Sequence, residues 1–158
     1  MSKNNTKNIL SVVGVLLVVG GLFAWPIITD PDKGLVKAWN ASDVGCIAGH
    51  SVVTGGAQHI HQSLTITVDG VDESIVPNSG IVRSCMAELH VHEGNTIHLE
   101  SLNPSKKFKL SQFFIVYEKP LVREGYKLEV TVNNEIVSDP ANLVLEDGQV
   151  IKMTYVSE

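Results

Sequence analysis

The sequence has few of the features on which common catalytic sites depend. It contains only two cysteines, and aromatic residues make up 6% of the chain. It shows no glycine-rich phosphate-binding loop and no dinucleotide-binding fingerprint. No motif pairs a nucleophile with a base, and there are no internal repeats or low-complexity tracts. These absences disfavour nucleotide-dependent enzymes and nucleophilic hydrolases, so an enzymatic role is the less favoured interpretation.

Charge is absent from a long apolar run near the N-terminus, Ile9–Ile28. At about 1.5 Å per residue, a helix of this length spans roughly the 30 Å hydrocarbon core of a bilayer. The run exceeds the usual apolar core of a signal peptide, and Trp25 and Pro26 stand where a small-residue cleavage site would end it. We therefore predict a transmembrane anchor over residues 9–28. A cleaved signal peptide and a buried core helix are the alternatives.

The charges that flank this run predict its orientation. Lys3 and Lys7 precede it, whereas Asp30 and Asp32 follow it. Because positive flanks stay in the cytoplasm, we predict a single-pass protein of the plasma membrane whose C-terminal domain is extracytoplasmic. The predicted organisation is a cytoplasmic N-terminus (1–8), the anchor (9–28), a connector (29–56) and a folded domain (57–158).

The part of the chain beyond the anchor is acidic. Without Lys3 and Lys7 it has ten basic residues against seventeen acidic ones, a net charge of −7. This charge argues against nucleic acid or an anionic lipid surface as a partner. It is compatible with a cationic ligand. The predicted partners are the membrane that holds the anchor and an envelope protein, or a metal donor or acceptor, near its surface.

Alternating residues predict strands in the folded domain. The run 61–68 alternates, and Asp69-Gly70 follows it as a strong hairpin signal. Further hairpins are predicted around Glu93-Gly94-Asn95 and Asn133-Asn134. The connector is predicted to be loop, with a helical turn near Leu35–Trp39.

One helix is predicted among these strands. Apolar residues at helical spacing in 110–117 indicate a short amphipathic helix with Ser111 as its N-cap, ending before Pro120. Together these patterns predict an α+β domain with a small mixed or antiparallel sheet and one packed helix. The order of elements resembles a β-grasp arrangement.

Five of the six histidines fall within forty residues: His59, His61, His90, His92 and His98. Four of them form two His-x-His pairs. On a strand, residues i and i+2 point to the same face, so each pair can aim two imidazoles at one ligand. If the two segments are neighbours in a sheet, the pairs converge. Since neutral imidazole is a common ligand for zinc and copper, we predict a site for one of these metals. A hydrogen-bonded histidine cluster without metal is the alternative.

Two carboxylates lie close to these histidines in the sequence. Glu93 follows the second pair, and Glu100 is two residues after His98. We predict that they support the ligands through hydrogen bonds. Three functions follow as hypotheses: an extracytoplasmic metal-binding protein, a small metalloenzyme with one of these glutamates as general base, and an envelope structural or recognition module without metal.

The two cysteines, Cys46 and Cys85, have two possible roles. Outside the cytoplasm an even pair usually forms a disulfide, which would tie the connector to the sheet. The alternative is a copper ligand, because Met86 follows Cys85 and histidine, cysteine and methionine make up the blue-copper ligand set. The sequence favours the disulfide.

Several motifs together resemble a family of uncharacterised membrane-anchored or secreted proteins of archaea and bacteria. The resemblance covers about residues 46–156 and departs from the family at Glu93, where an aspartate is expected. It rests on His59-Ile-His61 leading to Val68-Asp69-Gly70, on Pro77-Asn-Ser-Gly80-Ile81, on Cys85, on Leu89-His90-Val-His92, on Ile97-His98-Leu-Glu100-Ser101 and on Phe108-Lys-Leu110-Ser-Gln-Phe113-Phe114. It implies that the histidines belong together, and it implies no activity.

Overall fold

The computed structural model describes residues 31–47 and 58–158. The predicted anchor and part of the predicted connector lie outside these residues. Within them, no helix is both long and apolar enough to cross a membrane. The described residues contain two α-helices and two β-sheets, which confirms the α+β class.

The elements follow one another in chain order with short connections. They are α1 (Pro31–Ala41), β1 (Cys46–Ile47), β2 (Gln58–Val68), β3 (Val71–Glu73), β4 (Ile81–Val82), β5 (Cys85–Ala87), β6 (Leu89–His90), β7 (Thr96–Ser101), α2 (Leu110–Val116), β8 (Tyr126–Val132), β9 (Glu135–Ile136), a 3₁₀ turn (Pro140–Asn142) and β10 (Val150–Ser157).

The larger sheet is mixed, with strand order β6-β7-β2-β10-β8-β9 and β3 paired to the far end of β2. Strands β2 and β10 are parallel, and the other pairs in this sheet are antiparallel. The hairpins predicted at Asp69-Gly70, Glu93-Gly94-Asn95 and Asn133-Asn134 are all present. Asp69 and Gly70 both have positive φ, as tight hairpin turns require.

One face of this sheet is covered by the core. Strand β2 buries Leu64 and Ile66, and β10 buries alternate residues from Ile151 onward, because side chains alternate between the faces of a strand. Helix α2 buries Phe113 and Phe114 in the same core. The opposite face of β2 and β7 is therefore left to carry polar side chains.

Helix α2 begins earlier than predicted. Its N-cap is Lys109 rather than Ser111, because the side chain of Gln112 folds back and accepts a hydrogen bond from the Lys109 backbone N–H at 2.7 Å. The first backbone N–H groups of a helix have no partner within the helix. Here the Gln112 side chain supplies an acceptor for the N–H of the N-cap residue, as in a capping box.

The predicted connector contains regular structure. The helical turn expected near Leu35–Trp39 extends into helix α1, with Asp32 in its first turn. Leu35 and Trp39 are four residues apart, so they share one helical face, and Trp39 is fully buried in the core. Part of the stretch predicted as connector therefore packs against the core of the folded domain.

The smaller sheet has strand order β1-β5-β4. A disulfide joins Cys46 on β1 to Cys85 on β5, which confirms the predicted pairing. Closing a loop with a sequence separation of 39 stabilises the fold by about 4 kcal/mol in the chain-entropy treatment. Strand β5 leads directly into β6, so this bond fixes the chain just before the buried His90.

Candidate metal centre

Three neighbouring strands bring the histidines together. On the central strand β7, His98 lies directly opposite His61 of β2 on one side and His90 of β6 on the other. Residues directly opposite in a sheet point to the same face, so these three imidazoles form one row across the strands. His59 lies two residues before His61, and His92 lies two residues after His90. Each adds one more imidazole beside this row.

All five predicted histidines belong to this histidine cluster. The ring centroids of His61 and His92 lie 4.6 and 4.8 Å from that of His98. The ligand atoms form two groups, each within 4.8 Å. We name them the outer triad (His59, His61, His98) and the inner triad (His90, His92, His98). The two His-x-His pairs thus converge, although β7 separates them and His98 is shared.

The residues between the paired histidines face the core, as predicted. Val91 is fully buried, and Ile60 packs against the core cluster. This alternation fixes the direction of the imidazoles, because turning one histidine away would expose its apolar neighbour.

His90 is the most constrained member of the cluster. It is fully buried, and its Nδ1 lies 2.9 Å from the backbone carbonyl oxygen of Ala87. A carbonyl oxygen can only accept, so Nδ1 carries the proton and Nε2 carries a free lone pair. That Nε2 is buried and has no hydrogen-bond partner in the described part of the chain. A backbone carbonyl that holds the distal N–H is the usual arrangement behind a metal-bound histidine.

The protonation of two members of the inner triad, His90 and His98, suits metal binding. Burial lowers the pKa of His90 from 6.5 to about 4, and the nearby charges of His92 and His98 act in the same direction. Burial also lowers the pKa of His98 to about 4, with contributions from His61 and His92. Both imidazoles are therefore neutral at pH 7, and a neutral imidazole is the form that binds metal.

The turn at 77–81 holds the inner triad in place. The backbone N–H of Asn78 donates to the carbonyl of His92 at 3.0 Å, and that of Val91 donates to the carbonyl of Ser79 at 2.9 Å. Gly80 has φ +83° and packs so closely that a Cβ there would lie 2.6 Å from the carbonyl oxygen of Leu89. Only glycine fits this position without moving β6.

A different turn holds the outer triad. The backbone N–H of His61 donates to the Asp147 carboxylate at 2.9 Å, and the N–H of Gly148 donates to the carbonyl of His61 at 2.8 Å. The backbone of His61 is thus fixed, but its side chain and that of His59 are exposed. The outer triad therefore has two exposed members, whereas the inner triad combines the fully buried His90 with one exposed member, His92.

The two predicted supporting carboxylates differ. Glu100 is buried and lies directly opposite His59, with its Oε1 3.3 Å from His59 Nε2. Its Oε2 is buried and has no hydrogen-bond partner among the described residues. Glu93 is exposed and makes no hydrogen bond or ion pair to the cluster within the described chain. Within the described chain, Glu100 therefore contacts a histidine of the cluster and Glu93 does not.

A third carboxylate, Glu88, was not predicted from the sequence. It lies next to Glu100 in the sheet, since the Glu100 N–H donates to its carbonyl. Its side chain accepts hydrogen bonds from the Gly45 N–H, the Ser101 hydroxyl and the Lys106 ammonium at 2.6–2.8 Å. The spacing Glu88-x-His90 could have indicated its position, because residues two apart on an extended chain point to the same face. Because its oxygens are taken by these three donors, Glu88 joins β1 to the sheet and is not free to bind metal.

The cysteines are excluded as ligands, because both sulfurs form the disulfide. This removes the blue-copper alternative and leaves imidazole nitrogens, with one carboxylate nearby, as the donors of the site. The chain matches no protein-family model, no curated protein and no solved structure. Its resemblance to a family of anchored or secreted proteins therefore stays a prediction.

Proposed function

We propose that this chain is a membrane-anchored, extracytoplasmic metal-binding protein, held by residues 9–28, that carries copper(II) or zinc for storage or delivery. The inner triad is the primary site. The observation that carries this proposal is His90, whose buried Nε2 lone pair lies near two further imidazoles and has no partner in the described chain. Leaving a buried acceptor unpaired costs about 1–3 kcal/mol, and a metal ion relieves that cost.

The donor set favours these two metals. The site offers nitrogen donors and no thiolate, because Cys46 and Cys85 are bonded to each other. Imidazole suits zinc and copper(II), whereas copper(I) prefers soft sulfur ligands. Three imidazoles leave room for water or for a ligand of a partner protein in a fourth position, which suits an ion that is passed on.

The location is proposed on two grounds. The uncharged run of residues 9–28 and its flanking lysines support a single-pass anchor. The Cys46–Cys85 disulfide supports an oxidising compartment for the folded unit. A β-grasp-like arrangement of the sheet stays a prediction.

The test is metal content. The full-length chain is purified in detergent, loaded with zinc, passed through a desalting column and analysed by mass spectrometry for bound metal. We expect the wild-type chain to retain zinc in near-stoichiometric amount and the His90→Ala variant to lose it. His92→Ala provides a second test in which folding is not at risk, because His92 is exposed.

Thr96→Ala is the matched control. Thr96 lies on the same strand and the same face as His98, two residues away, and has no ligand atom for the triad. This variant is expected to retain zinc. A wild-type chain that is folded by circular dichroism and retains no zinc would overturn the proposed function.

A further inference from the structure

We propose that the cluster binds a second metal ion at the outer triad and that His98 bridges the two ions through its two ring nitrogens. This inference rests on the proposed function, since it requires the inner triad to hold the first ion. It turns the histidine row from one site into a two-ion centre with a shared ligand.

The position of His98 carries the proposal. It belongs to both groups of ligand atoms, and it lies on the strand between the other two. Its ring is nearly perpendicular to that of His61 on one side, at 87°, and to that of His92 on the other, at 75°. An imidazole ring has two nitrogens whose lone pairs diverge, so a ring with ligands on both sides can serve one ion with each nitrogen.

Binding of the second ion requires His98 to lose its remaining ring proton. A neutral imidazole bonded to the first ion still carries a proton on its other nitrogen. The second ion takes that nitrogen, and the proton is released to solvent, so His98 becomes a bridging imidazolate with one negative charge. This charge lies between the two ions and reduces their mutual repulsion.

Glu100 is the second, independent observation. Its carboxylate is 2% exposed, lies 3.3 Å from His59 at Oε1, and has a buried Oε2 without a partner in the described chain. Lys106 and two other donors satisfy the neighbouring Glu88, but among the described residues no cation offsets Glu100 except a protonated His59. A cation at the outer triad would supply the missing positive charge beside this carboxylate.

The two ions differ in access. His59 and His61 of the outer triad are both exposed, whereas in the inner triad only His92 is exposed and His90 is fully buried. The outer ion is therefore the one that exchanges with solvent or with a partner, and the inner ion is the one that is retained. Both ions act on His98, so occupation of the outer triad changes the bond to the inner ion.

The experiment is a copper(II) titration of the metal-free, full-length chain in detergent, followed by electron paramagnetic resonance. One equivalent is expected to give the signal of an isolated copper(II) ion. A second equivalent is expected to bind and to reduce the total signal, because an imidazolate bridge couples the two unpaired electrons antiferromagnetically.

Each other outcome has a definite meaning. Saturation at one ion would overturn the two-ion centre and leave the proposed function standing. Two bound ions with a full, additive signal would overturn the His98 bridge. A chain that binds no copper but retains zinc would overturn the two-ion centre alone, and a chain that binds neither metal would overturn the proposed function itself.

The variants separate the two triads. His61→Ala removes an exposed ligand of the outer triad alone, so this variant is expected to bind one copper ion with an undiminished signal. Thr96→Ala, on the same face, is expected to bind two coupled ions as the wild type does. If His61→Ala still bound two coupled ions, the proposal of a second site at the outer triad would be overturned.

Discussion

The two halves of the histidine cluster are built from the same motif but placed in different surroundings. In the inner half, the ring of His90 is buried and held by a backbone carbonyl, and a glycine turn packs beneath the strand. In the outer half, the Asp147 carboxylate holds the backbone of His61 and Glu100 contacts the ring of His59, while the rings of His59 and His61 reach solvent. The same His-x-His sequence therefore yields a pair with one buried, fixed ring on one side and a pair with two exposed rings on the other.

The neighbours of a His-x-His pair thus decide what the pair can do. A preorganised ligand loses little freedom on binding, so the inner half favours retention. Exposed side chains must be ordered when they bind, and they bind more weakly for that reason, so the outer half favours exchange. The following predictions act on one half and spare the other.

The largest expected effect comes from Gly80→Ala, which breaks the inner half. A Cβ at Gly80 would clash with the carbonyl of Leu89 and with Val116, and the φ of +83° disfavours alanine. We expect the free energy of unfolding to fall by about 3 kcal/mol, of which about 1–2 kcal/mol is the backbone term. Chemical denaturation of the full-length chain measures it.

Gly94→Ala is the control for this substitution. Gly94 has φ +69°, but a Cβ added there would meet no atom within 4 Å, so only the backbone term applies. We expect a loss of about 1 kcal/mol. Equal losses for the two variants would show that the close packing of Gly80 beneath β6 does not matter.

An intermediate effect is expected from Glu100→Gln, which acts on the outer half. The substitution removes the negative charge beside His59 and keeps the size of the side chain. We expect copper(II) binding at the outer triad to weaken by about tenfold, the lower end of the range for residues that support metal ligands. Binding at the inner triad should change little, as isothermal titration calorimetry would show.

Glu93→Gln is the matched control, because Glu93 is exposed and has no ion pair with a histidine among the described residues. It removes the same charge at a neighbouring place in the sequence. If both variants weakened copper binding equally, the effect would be one of general charge and not of the Glu100–His59 contact.

The smallest expected effect is on the pH dependence of the metal-free chain. The pKa of His90 is about 4 in the folded state against 6.5 ordinarily, so the unfolded chain binds more protons between these values. The contribution of neutral His90 to the free energy of unfolding is therefore complete above pH 6.5 and is lost as the pH falls toward 4. From pH 6.5 to 5.5 we expect the wild type to lose about 1 kcal/mol more than His90→Asn. Denaturation curves with a chelator present test this, and parallel losses would contradict it.

Much of the site could be predicted from the sequence, because it depends on strand alternation. The period of two places His59 and His61 on one face and Ile60 on the other, without knowledge of the rest of the fold. The disulfide followed from having two cysteines, and the hairpins followed from their Asp-Gly and Asn-containing turns.

The remainder depends on pairings between distant segments, which local patterns do not encode. Sequence spacing did not show that β7 lies between β2 and β6, so the central place of His98 was not expected. The carbonyl of Ala87 has no signal in the sequence, because any residue supplies one. Helix α1 was predicted only as a turn, since it contains Pro31 and Gly34 and its stability comes from burying Trp39.

The X-ray absorption spectrum of the full-length chain loaded with one equivalent of zinc would show the ligands of the inner triad directly. A histidine site predicts nitrogen or oxygen neighbours at about 2.0–2.1 Å from zinc, with the outer-shell scattering of several imidazole rings. Sulfur neighbours at about 2.3 Å, or oxygen neighbours without any imidazole scattering, would contradict a metal centre built from these histidines.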